Sequence, residues 1–240
     1  MKCCIIGLGV FGKNLVYDLA ELGAEILAID RRDDNVAAIK DVVDAALVMD
    51  FDDSAALATL PIREMDVVVM AIGDDFEKSM ELTIKAQELG ARRMVCRVLS
   101  PMHARLLRLL KVDRLVVPEE VAAKGLAHSL LMRGVIGAFD MGNGHSIIEA
   151  KVPAGLVGKS IKDNVEVFKK ADVRIVTVKR LSSRLLAKLA KEGEDVDPDG
   201  TARRRTLGIP DTEEPFQEDD VLVLFGKEKK LKSFLEEHAK

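Results

Sequence analysis

Short apolar runs alternate with amphipathic stretches along the first half of the chain. Several runs are apolar at consecutive positions, as in residues 66–72, which predicts strands covered by helices on both faces. The amphipathic stretches, such as residues 76–89, have the spacing of helices with one buried face. This alternation is typical of a Rossmann-like, doubly wound parallel α/β sheet, with about six strands, that ends near Pro118.

The pattern changes after Pro118. Residues 119–136 read as one long helix with an apolar side, and glycines at positions 134 and 137 end it. Strands and helices then alternate in a smaller unit, which predicts a small α+β lobe. We therefore divide the chain into a nucleotide-binding domain (1–118), a crossover helix and hinge (119–139) and a C-terminal domain (140–240).

One stretch of the second half, residues 181–217, is dense in charge. We expect a short helix at residues 182–191 and a solvated loop afterwards, because such a segment cannot offset its ordering entropy by burial. The arginines at 203–205 fit a solvated loop cluster better than an anion site.

The first apolar run leads into a glycine motif that carries chemistry. Gly7 permits a tight turn, Gly9 lets a pyrophosphate approach the backbone, and Gly12 lets the following helix pack closely on the strand. Asp30 ends the next strand and would accept hydrogen bonds from ribose hydroxyls. This spacing predicts a dinucleotide-binding unit, and the alternative is a glycine turn that binds nothing.

Two further strand ends carry polar residues: Asp50 follows the third strand, and Gly73, Asp74 and Asp75 follow the fourth. The carboxyl ends of parallel strands are where such folds bind ligands. We therefore place both positions at the nucleotide site.

Composition narrows the class of protein. The 240 residues carry a net charge of −4, without the basic patch that nucleic acid or anionic lipid attracts. No apolar run is long enough to cross a membrane, and no signal peptide precedes the first strand, so we expect a cytoplasmic protein. Cys3, Cys4 and Cys96 lie in strand-like runs and are interpreted as small core residues.

A catalytic constellation is missing from the sequence pattern. A dehydrogenase of this architecture needs a proton donor and substrate clamps beside the nicotinamide. The four histidines and Tyr17 are scattered over helices and strand ends. These observations favour a nucleotide sensor over an enzyme. The alternatives are an NAD(P)-dependent oxidoreductase with an unrecognised site, and a redox-sensing module with another target.

Longer motifs point to a family: the acidic residues 50–53, the segment 97–107, the segment 113–119 and the C-terminal run 217–226. With the glycine motif, these motifs resemble the RCK (regulator of K⁺ conductance) family, in particular the Ktr/Trk-type potassium uptake subunits. The resemblance spans nearly the whole chain. It implies a nucleotide-binding regulatory subunit without turnover, a homodimer that assembles into a ring, and a membrane potassium-translocating partner on whose cytoplasmic face it sits.

The resemblance also implies site residues. The adenine nucleotide, whether NAD(H), ATP or ADP, would contact Gly7, Gly9, Val10, Phe11, Gly12, Asp30, Arg31, Asp50, Phe51, Ile72, Gly73, Ser79 and Arg97. Val10 departs from relatives that carry arginine there, so ATP preference over ADP should be weak. Glu119 matches a carboxylate that holds a divalent cation between subunits in some relatives, although a plain helix-start carboxylate fits equally well.

Overall fold

The computed structural model describes residues 1–181 and 204–239. The chain divides into two compact units, Met1–Pro118 and Glu119–Lys240. Among the described residues, no helix is both long and apolar enough to cross a bilayer. The predicted crossover helix and hinge, 119–139, falls inside the second unit.

The first unit alternates strands with helices, as the hydrophobic pattern predicts. Its strands are β1 (Lys2–Ile6), β2 (Glu25–Asp30), β3 (Ala45–Val48), β4 (Val67–Met70), β5 (Met94–Arg97) and β6 (Arg114–Val116). Its helices are α1 (Val10–Glu21), α2 (Asp33–Ala37), α3 (Ser54–Ala58), α4 (Phe76–Glu88) and α5 (Pro101–Leu109). A short 3-10 helix, Ile62–Glu64, precedes β4. All pairings in this sheet are parallel.

Apolar cores cover both faces of the first sheet. Cys3 packs in one core with Val16 of α1, whereas Cys4 packs in the other with Leu82 of α4 and Leu107 of α5. Neighbouring strand residues point to opposite faces, so both thiols are buried and neither forms a disulfide. Burial raises the pKa of the Cys4 thiol to about 12. The interpretation of these cysteines as core residues fits this packing.

The strand order of the first sheet is β3-β2-β1-β4-β5-β6. The chain runs outward from β1 to β3 and then returns to the other side of β1 at β4. The switch point therefore lies between β1 and β4, and a crevice opens there at the carboxyl ends of the strands. The predicted Rossmann-like fold class is confirmed.

The second unit is an antiparallel sheet with helices. It contains α6 (Pro118–Leu131), β7 (Val135–Gly142), β8 (His145–Lys151), α7 (Val165–Ala171), β9 (Val173–Leu181), β10 (Arg204–Thr206), β11 (Val221–Lys227) and α8 (Glu228–His238). Two 3-10 helices, Ala154–Leu156 and Lys162–Asn164, precede α7. The strand order is β10-β9-β11-β8-β7. Phe168 of α7 and Phe234 of α8 pack on one face of this sheet.

Three features of the second half differ from the sequence pattern. Helix α6 ends at Leu131, five residues before the predicted end at 136, and residues 135–142 form β7 instead. The backbone of β7 pairs with β8, so tertiary pairing overrides the local helical pattern. Residues 204–206 were expected in a loop but pair with the edge of β9. The predicted helix at 182–191 and Arg203 lie outside the described residues.

Candidate functional site

The turn between β1 and α1 depends on two glycines for packing. Gly7 has φ of 97°, a conformation that favours glycine, and a Cβ there would lie 2.9 Å from the Ile72 nitrogen. A Cβ on Gly12 would lie 2.0 Å from the Gly7 carbonyl oxygen. Gly7 is therefore required by its backbone conformation and by the chain that follows β4, and Gly12 by the close packing of α1 on the turn, whether or not a ligand binds.

Gly9 is different, because its Cβ position faces open space. No described atom lies within 4 Å of a Cβ built on Gly9. Gly9 is also the N-cap of α1, and within the described residues no side chain caps this helix and no acidic residue occupies its first turn. By contrast, Asp53, Asp75 and Ser100 cap α3, α4 and α5 with their own side chains. The start of α1 thus presents backbone N–H groups to a space that an anion can enter.

Asp30 supports this turn from the end of β2. Its Oδ2 accepts a hydrogen bond from the Leu8 N–H at 2.6 Å, and its Oδ1 accepts one from the Arg32 N–H at 2.9 Å. The residue is only 5% exposed. A carboxylate oxygen can accept more than one hydrogen bond, so each oxygen keeps acceptor capacity toward the crevice.

The crevice at the switch point is a cleft of about 290 Å³. It is lined by Gly7, Gly9, Val10, Asp30, Arg31, Arg32, Phe51, Ala71, Ile72, Gly73, Asp74, Asp75, Lys78 and Arg97. The cleft combines a glycine turn, the Asp30 carboxylate in a position to accept hydrogen bonds from ribose hydroxyls, apolar walls and several cations. This set matches the phosphate, sugar and base of a nucleotide.

Arg97 enters the cleft from the end of β5. Its guanidinium carbon lies 5.9 Å from the centroid of the Phe11 ring. A Cβ on Gly73 would lie 2.1 Å from Arg97 Nη1, so the guanidinium crosses directly over this glycine. Phe11 and Gly73 thus fix the position of a cation at the edge of the cleft.

Comparison with known proteins agrees with this geometry. Residues 3–118 match the TrkA-N domain family. Ktr system potassium uptake protein C of Bacillus subtilis is 29% identical over 78% of this chain and 85% of its own length. Ktr system potassium uptake protein A of the same organism is 27% identical over 96% of this chain and 93% of its own length.

The fold also matches a solved channel structure. The GsuK channel bound to NAD aligns with all of this chain at a TM-score of 0.59 and 17% identity, and the chain covers 39% of the channel chain. This likeness concerns the fold. The match to the TrkA-N family and the Ktr relatives together confirm the predicted resemblance to the Ktr/Trk potassium uptake proteins.

The cleft of the first unit brings together most of the predicted site residues. Those that line it are Gly7, Gly9, Val10, Asp30, Arg31, Phe51, Ile72, Gly73 and Arg97. Phe11 lies beneath Arg97, and Gly12 packs against the turn. These two residues support the cleft and do not line it.

Asp50 and Ser79 differ from the prediction. Asp50 is exposed and accepts a hydrogen bond from the Asp52 N–H at 3.0 Å, so its carboxylate is used within its own turn. Ser79 is fully buried, because it lies on the side of α4 that packs on the sheet. Its hydroxyl is 3.5 Å from His103 Nε2. Neither residue lines the cleft.

His103 is a buried polar residue behind the cleft. The Leu99 N–H donates to His103 Nδ1 at 3.2 Å, which places the ring proton on Nε2, facing Ser79. Burial lowers the pKa of this imidazole. The neutral ring therefore holds the segment between β5 and α5 beside Arg97.

Five lining residues are not among the predicted nucleotide contacts, although the sequence already places two of them, Asp74 and Asp75, at a strand end of the site: Arg32, Ala71, Asp74, Asp75 and Lys78. Four of them follow the carboxyl ends of β2 and β4, where parallel sheets of this kind bind ligands. Lys78 is the exception, since it lies in the first turn of α4 and reaches back to the cleft.

Glu119 lies in the first turn of α6, where a carboxylate interacts favourably with the helix dipole. Among the described residues, no group of three His, Cys, Asp or Glu side chains is arranged to hold a metal ion. A cation at Glu119 would therefore need ligands from a second copy of the chain, and this site stays a prediction.

Proposed function

We propose that the cleft binds an adenine nucleotide and that the chain is a regulatory subunit of a potassium uptake system. The observation that carries the proposal is the open space over Gly9 at the uncapped start of α1. A phosphate placed there accepts hydrogen bonds from backbone N–H groups and interacts favourably with the helix dipole.

The remaining parts of the nucleotide follow from the phosphate position. Asp30 ends the neighbouring strand and accepts from the ribose hydroxyls. Phe51 lies beyond the ribose, after β3, and together with Ile72 offers apolar walls for the base. This order along the cleft supports an adenine nucleotide, such as the NAD that the GsuK channel binds.

Val10 bears on which adenine nucleotide binds. It begins α1 and is 79% exposed, and its side chain carries no charge that would attract a γ-phosphate. Backbone N–H groups and the cations of the lining, Arg97 among them, are left to bind the phosphates. The cleft therefore accepts NAD(H), ATP and ADP with similar affinity.

The cleft favours binding without turnover. The lining contains no His, Cys or Tyr side chain, and its carboxylates are Asp30, which already accepts hydrogen bonds from two backbone N–H groups, Asp74 and Asp75, which caps α4. Lys78 also lines the cleft, but hydrogen bonds from its ammonium to Asp52 and Glu81 raise its pKa, which makes it a weak acid. This arrangement supports a regulator over an oxidoreductase.

Regulation requires two conformations with different nucleotide affinity. We propose that the chain forms a homodimer through α6, since Val121, Leu126, Leu130 and Leu131 on this helix are exposed in a single copy, Leu130 by 76%. Dimers would assemble into a ring on a potassium-translocating subunit at the cytoplasmic face of the membrane. Nucleotide binding would bias the arrangement of the paired units.

Asp30→Asn tests the link between binding and transport. The amide removes the charged acceptor for the ribose hydroxyls and turns an N–H donor toward a backbone N–H of the turn. Nucleotide affinity should therefore fall by about 1.5–3 kcal/mol. Asp113→Asn is the matched control: Asp113 accepts a hydrogen bond from the Met94 N–H at 2.7 Å and does not line the cleft.

Both variants would be expressed with a Ktr-type membrane subunit in cells that lack their own potassium uptake systems. The wild-type chain should co-purify with that subunit and alter potassium uptake, as should Asp113→Asn, whereas Asp30→Asn should lose the nucleotide-dependent part of the effect. Uptake that is unchanged by the wild-type chain, without co-purification, would contradict the proposed partner.

A further inference from the structure

Lys78 makes two ion pairs at the edge of the cleft. Its ammonium donates to the carboxylate of Asp52, which follows β3, and to Glu81 Oε2 at 2.6 Å on its own helix. The lysine side chain is 17% exposed, whereas Asp52 extends into solvent. The buried stem of Lys78 thus places a charged group at the mouth of the cleft, where Asp52 reaches it.

The pair with Asp52 joins distant parts of the sheet. Strands β3 and β4 are separated by β2 and β1 in the strand order. Neighbouring strands lie about 4.8 Å apart, so the two strand ends that flank the pair are about 14 Å apart. Asp52, the neighbour of Phe51, therefore reaches Lys78 from the opposite side of the cleft, and both Phe51 and Lys78 line that cleft.

We propose that the Asp52–Lys78 ion pair is a strap over the base end of the cleft that slows the release of a bound adenine nucleotide. The inference rests on the proposed function, because it needs the nucleotide orientation given above. Phosphate lies at Gly9 and ribose at Asp30, so the base lies against Phe51. Asp52 comes directly after Phe51 and carries the strap across that end.

Glu81 makes the strap able to open. When Lys78 leaves Asp52, its ammonium keeps the contact to Glu81, one turn along α4. Opening therefore does not leave an unpaired lysine. The same two carboxylates already neutralise Lys78 in the closed state, so the lysine acts on ligand release through the strap, not as a phosphate ligand.

The test measures release rates of bound AMP, ADP and NAD⁺ from the full chain, by stopped-flow displacement of each with a fluorescent adenine nucleotide. Lys78→Met keeps the length of the stem and removes the charge, and Asp52→Asn removes the charge of the partner. Each should speed release by about two- to fivefold, the range of a partly exposed ion pair. Lys85→Met is the control, since Lys85 pairs with Glu88 at 3.4 Å on the same helix and does not line the cleft.

The strap predicts two further results. The double variant should release nucleotide no faster than either single variant, because both changes break the same contact. The acceleration should be the same for all three ligands, because the base end is common to them.

Three results would overturn the inference. One is release from Lys78→Met at the wild-type rate. Another is faster release from Lys78→Met together with slower release from Asp52→Asn, with both effects on the release rate larger for ADP than for AMP. That result would make Lys78 a phosphate ligand. Failure of the wild-type chain to bind all three nucleotides would reject the proposed binding function itself, and the strap with it.

Discussion

The two units use their polar groups in opposite ways. In the second unit, the Asp220 side chain is fully buried and accepts from Arg180 Nε at 2.8 Å and from the Gln217 N–H at 2.9 Å. In the first unit, the start of α1 faces open space at Gly9. A charged group alone therefore does not mark a binding site. A polar group marks a binding site when space is left beside it.

The largest effect should come from breaking the charge pairing of the second unit. Arg180→Met would leave the buried Asp220 carboxylate without its guanidinium, at a cost of about 3 kcal/mol in the free energy of unfolding. Chemical denaturation followed by circular dichroism measures this loss. Nucleotide affinity in the first unit should stay at the wild-type value.

Lys162→Met is the control for that change. Lys162 pairs with Glu213 at 2.7 Å, and both side chains are largely exposed. Exposed pairs contribute about 1 kcal/mol or less, so this variant should unfold almost like the wild type. Equal losses in the two variants would show that the Arg180 contact is not a buried structural pair.

A smaller effect should separate the two kinds of glycine in the first unit. Gly12→Ala forces a methyl group to within 2.0 Å of the Gly7 carbonyl oxygen, so overpacking should lower the free energy of unfolding by about 1–3 kcal/mol. Gly9→Ala meets no described atom within 4 Å apart from its chain neighbours, so it should lose only about 0.5–1 kcal/mol, the cost of alanine at an N-cap. Thermal unfolding of both variants checks the pair. A Gly9 variant that is as unstable as the Gly12 variant would assign both residues to packing.

Sequence reasoning found the parts of the site that depend on neighbouring residues. Gly7, Gly12 and Asp30 follow from one local pattern, because the turn, the helix and the next strand are consecutive in the chain. Lys78 was missed because its role depends on Asp52, which reaches it across two strands. Contacts between residues far apart in sequence are not visible in a local pattern.

The same limit explains two other differences. Ser79 was expected at the site, but the orientation of α4 turns its side chain into the core. Strand β10 was expected in a loop, yet its backbone pairs with β9. In both cases, packing against a distant element decided the outcome.

The smallest effect concerns two histidines whose pKa values shift in opposite directions. In the first unit, burial lowers the pKa of His103 from the ordinary 6.5. In the second unit, the Lys124 carbonyl, followed by Glu228, raises the pKa of His128 above 6.5. Both His128 ring nitrogens face acceptors, the Lys124 oxygen at 2.7 Å and Glu228 Oε1 at 3.1 Å, so the charged ring suits this position.

The signs of the two contributions to stability are therefore opposite. The contribution of His103 to stability is present above pH 6.5 and is lost as the pH falls through the lowered pKa that His103 has in the folded state. The contribution of His128 to stability is complete below pH 6.5 and is lost as the pH rises through the raised pKa that His128 has in the folded state.

Thermal unfolding of His103→Gln and His128→Gln between pH 5 and 8 measures both contributions. The difference from wild type should shrink toward acid for His103→Gln and toward base for His128→Gln. The same pH dependence in both variants would contradict the contrast between the units.

The most direct test of the central claim is calorimetric titration of the wild-type chain and of Gly9→Ala with NAD⁺ and ADP. The cleft binds both nucleotides in this account, with affinities within about tenfold of each other. A methyl group in the space over Gly9 should weaken both by at least tenfold, in a variant that remains fully folded. Equal nucleotide affinity in the wild type and in Gly9→Ala would contradict phosphate binding at the start of α1.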